Sequence, residues 1–301
     1  MSRLSKNQVA GWLAVTISTL VSCWWAWWGI IENFHEGWFH PSLLSNLGLM
    51  FAQYLSPLLL FVFLSLVGIA FPRVGGAAHA LAGIMLVLFL FGLNNRTAMM
   101  LIIAPMALLG TLYWFGRAQP RHTAYWITVG VPMLTLIVCG VEPVIRLAGR
   151  VNDGNLEARL VERNGVRLVW AAEGNGWTRD GVSWHEAVKL CQYLKEDGRT
   201  LADVPQNVWH LPTTEEVVRS MSRHGVNSEG VWNAQTKKSS FRVRPDKESP
   251  LWNIYSPVIY WWTASEADNE NAYMIAYDGK VWPRRKQSSP AYLGYRCVKS
   301  P

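Results

Sequence analysis

Ala10-Gly-Trp-Leu-Ala-Val-Thr-Ile-Ser-Thr-Leu-Val-Ser-Cys-Trp-Trp-Ala-Trp-Trp-Gly-Ile-Ile31 contains no Asp, Glu, Lys or Arg. An uncharged helix crosses about 30 Å of hydrocarbon with roughly 17–25 apolar residues, so this run reads as a membrane span. A signal peptide has a shorter apolar core and a small-residue cleavage site. Here the run ends instead in Trp24, Trp25, Trp27 and Trp28, with Trp38 close behind. Such an aromatic cluster anchors a helix at the membrane interface.

Working outward, four more stretches lack charge: 47–71, 77–93, 98–115 and 124–141. The third and fourth spans are short and flank Asn94-Asn95-Arg96-Thr97, which reads as a tight turn. The expectation is five spans, with four spans or a re-entrant hairpin as the alternatives. Pro57, Pro105 and Pro132 are placed to kink three of them. Cys23 and Cys139 fall inside spans and read as small apolar residues.

The rest of the chain is different. Of 49 charged residues, only ten lie before residue 149. The remaining 39 give residues 149–301 about 25% charge, an ordinary soluble value. The overall 16% is therefore a mean over two regimes. The division is a transmembrane domain over 1–148, a linker over 149–159 and a globular domain over 160–301.

Basic residues in short loops set membrane orientation. Arg3, Lys6, Arg73, Arg117 and Arg121 fall on one side and only Arg96 on the other. The N-terminus is expected in the cytoplasm. An odd number of spans then places the globular domain outside it, and a change of one span reverses that. The spans carry His79 but no charged residue, which argues for an anchor over an ion path.

The globular part reads as small and α+β. Ser183-Trp-His-Glu186 and Thr213-Thr-Glu-Glu216 have capping-box spacing. Trp184, Ala187, Val188, Cys191 and Leu194 share one helical face, and Gly198 is expected to close that helix. Strands are expected over 166–170, 258–263, 272–277, 280–282 and 292–298. Asp278-Gly279 between two of them is a strong hairpin signal.

Four segments occur in order: Gly181-Val-Ser-Trp-His-Glu-Ala187, Trp209-His-Leu-Pro-Thr-Thr-Glu-Glu216, Tyr260-Trp-Trp-Thr-Ala-Ser-Glu266 and Leu293-Gly-Tyr-Arg-Cys-Val298. Together they resemble the domain of the formylglycine-generating (sulfatase-modifying) enzymes. They also resemble the C-terminal domain of Legionella collagen-like adhesins. Both are variants of the C-type-lectin fold. The resemblance covers about residues 160–299. It implies a structural disulfide between Cys191 and Cys297, with two buried thiols as the alternative. It also implies an environment outside the cytoplasm, where disulfides persist.

The related oxidases use a copper-binding cysteine pair shortly before the last strand. The matching stretch here, Val281-Trp-Pro-Arg-Arg-Lys-Gln-Ser-Ser-Pro290, has no Cys. A thiolate site cannot form without thiols. His185, His210 and His224 show no ligand spacing, and His185 and His210 read as structural or surface residues. Asp268-Asn-Glu-Asn271 offers oxygen ligands for calcium, but an ordinary polar turn has the same composition. No catalytic residue, cofactor or metal is expected.

What remains is a binding surface. Trp282, Arg284, Arg285, Lys286 and Tyr292 are its candidate residues, since loop-borne aromatics anchor ligands at low entropy cost. Lys237, Lys238, Arg242 and Arg244 add a second basic group, which suits anionic lipid or polysaccharide, or is simply a solvated face. The leading expectation is a multi-pass bacterial inner-membrane protein. Its catalytically inactive, periplasmic or extracellular lectin-like domain would bind a protein, glycan or envelope component. A divergent enzyme of the same superfamily and a self-assembling structural protein are the alternatives. The bilayer is an expected partner, a homo-oligomer is possible, and nucleic acid is not expected.

Overall fold

The computed structural model describes residues 4–90, 97 and 102–301. The chain divides into two compact units, Met1–Gly37 with Ser42–Ile145, and Trp38–Pro41 with Arg146–Pro301.

The first unit is helical. Helix α1 (Lys6–Glu32) starts on a capping box, in which Ser5 and Gln8 each bond the other's backbone N–H. It runs on into a π-helical turn at Asn33–Gly37. Helix α2 (Leu43–Leu49) and a second π turn (Met50–Tyr54) precede α3 (Ser56–Ala70). Then follow α4 (Pro72–Leu90), α5 (Ala104–Phe115) and α6 (Arg121–Ala148). Among the described residues, three stretches are long and apolar enough to cross a membrane: Lys6–Gly37, Pro72–Phe89 and Arg121–Ala148.

The span read at 47–71 is broken. Leu43–Tyr54 and Ser56–Ala70 meet at 61°, and counting the pair as one gives up to four spans. The break has a local cause. Pro57 has no N–H to offer the Gln53 carbonyl, and the Ser56 hydroxyl bonds that carbonyl instead. Pro57 therefore opens a helix after the break, Pro105 sits in the first turn of α5 directly after π-helical residues 102–103, and Pro132 lies within α6. Within the run read at 98–115, the described residues are π-helical at 102–103 and α-helical over Ala104–Phe115, and that α-helix alone is too short to span. The turn read at 94–97 lies outside the described residues, apart from Thr97.

This unit packs with small residues inward. Helix α1 buries Gly11, Ala14, Ser18, Ser22, Ala26 and Gly29, and turns Leu13, Leu20, Trp24 and Ile31 outward. On α6, Trp126 is 76% exposed and Leu134, Ile137 and Val138 are also exposed. Water would penalise so much exposed apolar surface, while hydrocarbon favours it. Helices α4 and α5 touch backbone to backbone. A Cβ on Gly76 would lie 2.6 Å from the Gly110 carbonyl oxygen, and a Cβ on Gly110 equally close to that of Gly76.

The second unit is β-rich. Strands β1 (Arg159–Arg163) and β2 (Val166–Trp170) form a hairpin. Its turn is Asn164-Gly165, both with positive φ, the pattern two-residue hairpins favour. Helix α7 (Trp184–Tyr193) is capped by Ser183, and α8 (Thr214–Ser220) by the Thr213–Glu216 box. Two small hairpins follow, β3 (Ser222–Arg223) with β4 (Val226–Asn227), and β5 (Val231–Asn233) with β6 (Lys238–Ser240).

Strands β7 (Tyr260–Glu266), β8 (Asn271–Ala276) and β9 (Val281–Arg285) form an antiparallel meander. Strand β10 (Leu293–Gly294) adds parallel to β7, and β11 (Val298–Lys299) adds to β2 in a separate three-stranded sheet. Successive residues of β7 face opposite ways. Trp261 packs with Val217 and Val218 of α8 in one core, and Trp262 with Ala187 and Cys191 of α7 in the other.

Three local expectations change. Helix α7 stops at Tyr193 rather than near Gly198, because Leu194 is extended, completely buried, and bridges to Leu201. The strand read at 292–298 is two short strands, since Tyr295–Cys297 leaves one sheet to join the other. The linker is pinned along its first residues. Val151 N–H donates to Glu248 at 3.0 Å and Asp153 N–H to the Ser249 hydroxyl at 3.2 Å. Arg150 pairs with buried Asp246.

Cys191 and Cys297 form the expected disulfide, with Cα atoms 5.5 Å apart and 106 residues of separation. Both are fully buried. Cys23 and Cys139 are free.

Candidate functional site

The sequence-derived surface lies on β9 and the loop after it, and the meander decides where each side chain goes. Trp282 pairs with Met274, and Tyr260 with Ala276, so both share one face of the sheet. Tyr260 sits edge-on to Trp282 at 5.3 Å and to Tyr292 at 5.5 Å. All three rings are half-buried. Trp282 and Tyr292 are thus brought together, with Tyr260 between them.

Arg284 and Arg285 alternate across β9. Arg284 faces with Trp282 and is half-buried, and Arg285 is exposed. Lys286 does not belong to the exposed surface. It is 6% exposed, and its Nζ donates to Glu266 and to the Asn269 carbonyl. The same ammonium lies 4.8 Å above the Trp184 ring. A lysine with a carboxylate, a carbonyl and an aromatic face around it is a clamp.

What it clamps is a polar cleft of about 450 Å³, lined by His185, Asn269, Glu270, Arg285, Lys286 and Gln287. Three segments meet there, and each is held by its backbone. Lys286 N–H donates to Glu270 O at 2.9 Å, and Trp184 N–H to Lys286 O at 2.8 Å. Asp268 caps its own turn by accepting from the Asn271 side chain and from the backbone of Glu270 and Asn271. The Asn271 amide, followed by those N–H groups, holds the Asp268 carboxyl below its usual range. Of the oxygens considered for calcium, those of the Asp268 carboxylate thus serve the turn. Among the described residues, no three His, Cys, Asp or Glu side chains gather into a metal-binding group.

The cleft offers a cation in Arg285, an anion in Glu270, two amides and an imidazole. That set can orient a polar ligand through several hydrogen bonds. His185, Asn269, Glu270 and Gln287 were not legible as a group, because they come from three separated segments. The Ser183 cap was the one available signal, since it starts the helix with His185 in its first turn.

Two of the four residues in the second basic group are paired with carboxylates. Arg242 pairs with Glu229, Arg244 with Asp278, and Lys237 lies 5.8 Å over the Tyr273 ring. His210 lies 3.5 Å from Glu216, the capping glutamate of α8. Trp252, Trp261 and Trp262 are core residues, with Trp252 stacked on Trp261 at 3.7 Å. No family model, curated protein or solved structure matches this chain.

Proposed function

We propose that the chain is a membrane-anchored recognition protein. In this reading the helical unit crosses a bacterial plasma membrane with its N-terminus in the cytoplasm. The second unit lies outside as a lectin-like domain without catalytic activity, and its partner is a protein, glycan or other envelope component. The observation that carries the reading is the cleft around Arg285, built on a loop that Lys286 holds in place. Such a preformed, multi-donor cleft suits binding of a polar group. The Cys191–Cys297 disulfide supports an oxidising compartment. The outward apolar residues of α1 and α6 support the anchor.

Impermeant thiol labelling of intact cells tests the arrangement, in a background with Cys23 and Cys139 replaced by Ala. Ser288→Cys should label and Gln119→Cys should not. The reverse pattern would overturn the location and the envelope partner together. Binding is read on an array of envelope polysaccharides and peptidoglycan fragments, with the full chain in detergent. Arg285→Ala should lower the bound signal at least tenfold, and unchanged binding would remove the cleft from the function.

A further inference from the structure

His79 lies on α4, is completely buried, and is one of the polar residues the anchor reading leaves unexplained. Its Nδ1 is 2.8 Å from the Gly75 carbonyl oxygen, one turn earlier. A carbonyl only accepts, so Nδ1 carries the hydrogen. In the neutral ring Nε2 is then a bare lone pair. Nε2 has no hydrogen-bond partner among the described residues.

Three other helices bring polar groups to the same place. The His79 ring stacks on Tyr113 of α5, with centroids 4.9 Å apart and planes 25° apart. The Tyr113 hydroxyl donates to Ser18 of α1 at 3.2 Å, and Ser65 of α3 lies within reach of the same phenol. Ser18 and Ser65 are fully buried and Tyr113 almost so. Within one turn of Ser18, the Thr19 and Ser22 hydroxyls also lack partners among the described residues. No charged residue lies in α3 or α5, and those of α1 and α4 sit towards their ends, at Lys6, Glu32 and Arg73. Polar atoms turned inward in a bundle whose outside is apolar need a partner there.

We propose that this four-helix node is a binding site for a small neutral hydrogen-bond donor, with His79 Nε2 as the acceptor and an internal water as its occupant. The helical unit is then more than an anchor, because its interior holds a solvated polar site. The chemistry is satisfied by any small hydroxyl donor, so the test separates water from a lipid or additive hydroxyl.

Full chain labelled with ¹⁵N-histidine is examined by NMR in lipid nanodiscs at about pH 7.5, where an ordinary imidazole is mostly neutral. One ring should carry its hydrogen on Nδ1, with a bare Nε2 correlated to water protons. That signal should be lost in His79→Gln. If His79→Gln does not insert, Tyr113→Phe keeps the ring stack and assigns the same signal by its shift. A hydrogen on Nε2, an Nε2 without any exchangeable proton nearby, or correlation only to lipid or additive hydroxyls would overturn the proposal.

Discussion

Arg150 holds Asp246 with two donors of one guanidinium, Nε at 3.2 Å and Nη2 at 2.9 Å from the same oxygen. Arg223 takes the other oxygen. The Asp246 side chain is completely inaccessible, and that of Arg150 nearly so. Two cations around one buried carboxylate give the connector no freedom relative to the β-rich unit at that point. Asp246→Ala would leave both guanidiniums buried without an anion. That should cost about 3–5 kcal/mol. The near-ultraviolet circular dichroism of the full chain in detergent reports it. A melting temperature equal to wild type would contradict the buried triad.

Next to this triad, Lys247 is fully buried and its amine donates to the Ser256 carbonyl. Burial, aided by Arg150 and opposed by Asp246, pushes its pKa down to about 7. The unfolded chain then binds the extra proton between about pH 7 and the ordinary lysine value of about 10.4. Stability attributable to this group should therefore rise with pH across that window. Denaturation midpoints at about pH 7 and pH 9.5 should move apart in wild type relative to Lys247→Met. Equal pH dependence in both proteins would show that the amine is charged in the fold.

The disulfide joins segments 106 residues apart. Closing so long a loop contributes on the order of 4–5 kcal/mol by chain entropy. Reduction, or Cys191→Ala with Cys297→Ala, should lower the melting temperature of the β-rich unit markedly. An unchanged transition would mean that the two thiols gain nothing from being joined.

Lys286→Met should keep the fold but loosen the 267–271 and 286–288 turns, since Glu266 and Asn269 lose their shared donor. Hydrogen exchange of the backbone amides at positions 270 and 286 should quicken at least tenfold, with β7 and β8 unaffected. Equal protection would show that the backbone bonds alone hold the cleft.

Gly110→Val tests the helical unit. Its side chain would press on the Gly76 carbonyl, and overpacking of this kind costs about 1–3 kcal/mol. The full chain in mild detergent should aggregate at a lower temperature than wild type. The same substitution at Gly130, which has open space around its Cα, should not.

The features legible in the sequence were those set by local periodicity. Charge-free runs announced α1 and α6. Caps announced α7 and α8, and Asp278-Gly279 announced the β8–β9 hairpin. Features decided by distant partners were not legible. Nothing around Leu55 except Pro57 signals a 61° bend. Pro245-Asp-Lys-Glu-Ser-Pro250 is charged and bounded by prolines, yet its Asp246, Lys247 and Glu248 are buried, because their partners come from other segments: Arg150 and Arg223 for Asp246, Ser256 for Lys247, and Val151 and Gly225 for Glu248. Lys286 resembled its exposed neighbour Arg285, and only the fold places Glu266 and Trp184 beside it.

Strand β11 and Cys297 have an implication for timing. Residues 297–299 close both the β2 edge and the bridge to α7, more than a hundred positions back. The β-rich unit therefore cannot reach its final topology until those residues have been synthesised. The first unit also closes over distance, since Tyr113 of α5 bonds Ser18 of α1 and Trp12 bonds the Gln119 carbonyl, but those partners all precede the β-rich unit in the chain. Assembly is ordered by where the chain places its closing contacts, so an interruption between residues 149 and 297 leaves a first unit with all its helices and a second that cannot close.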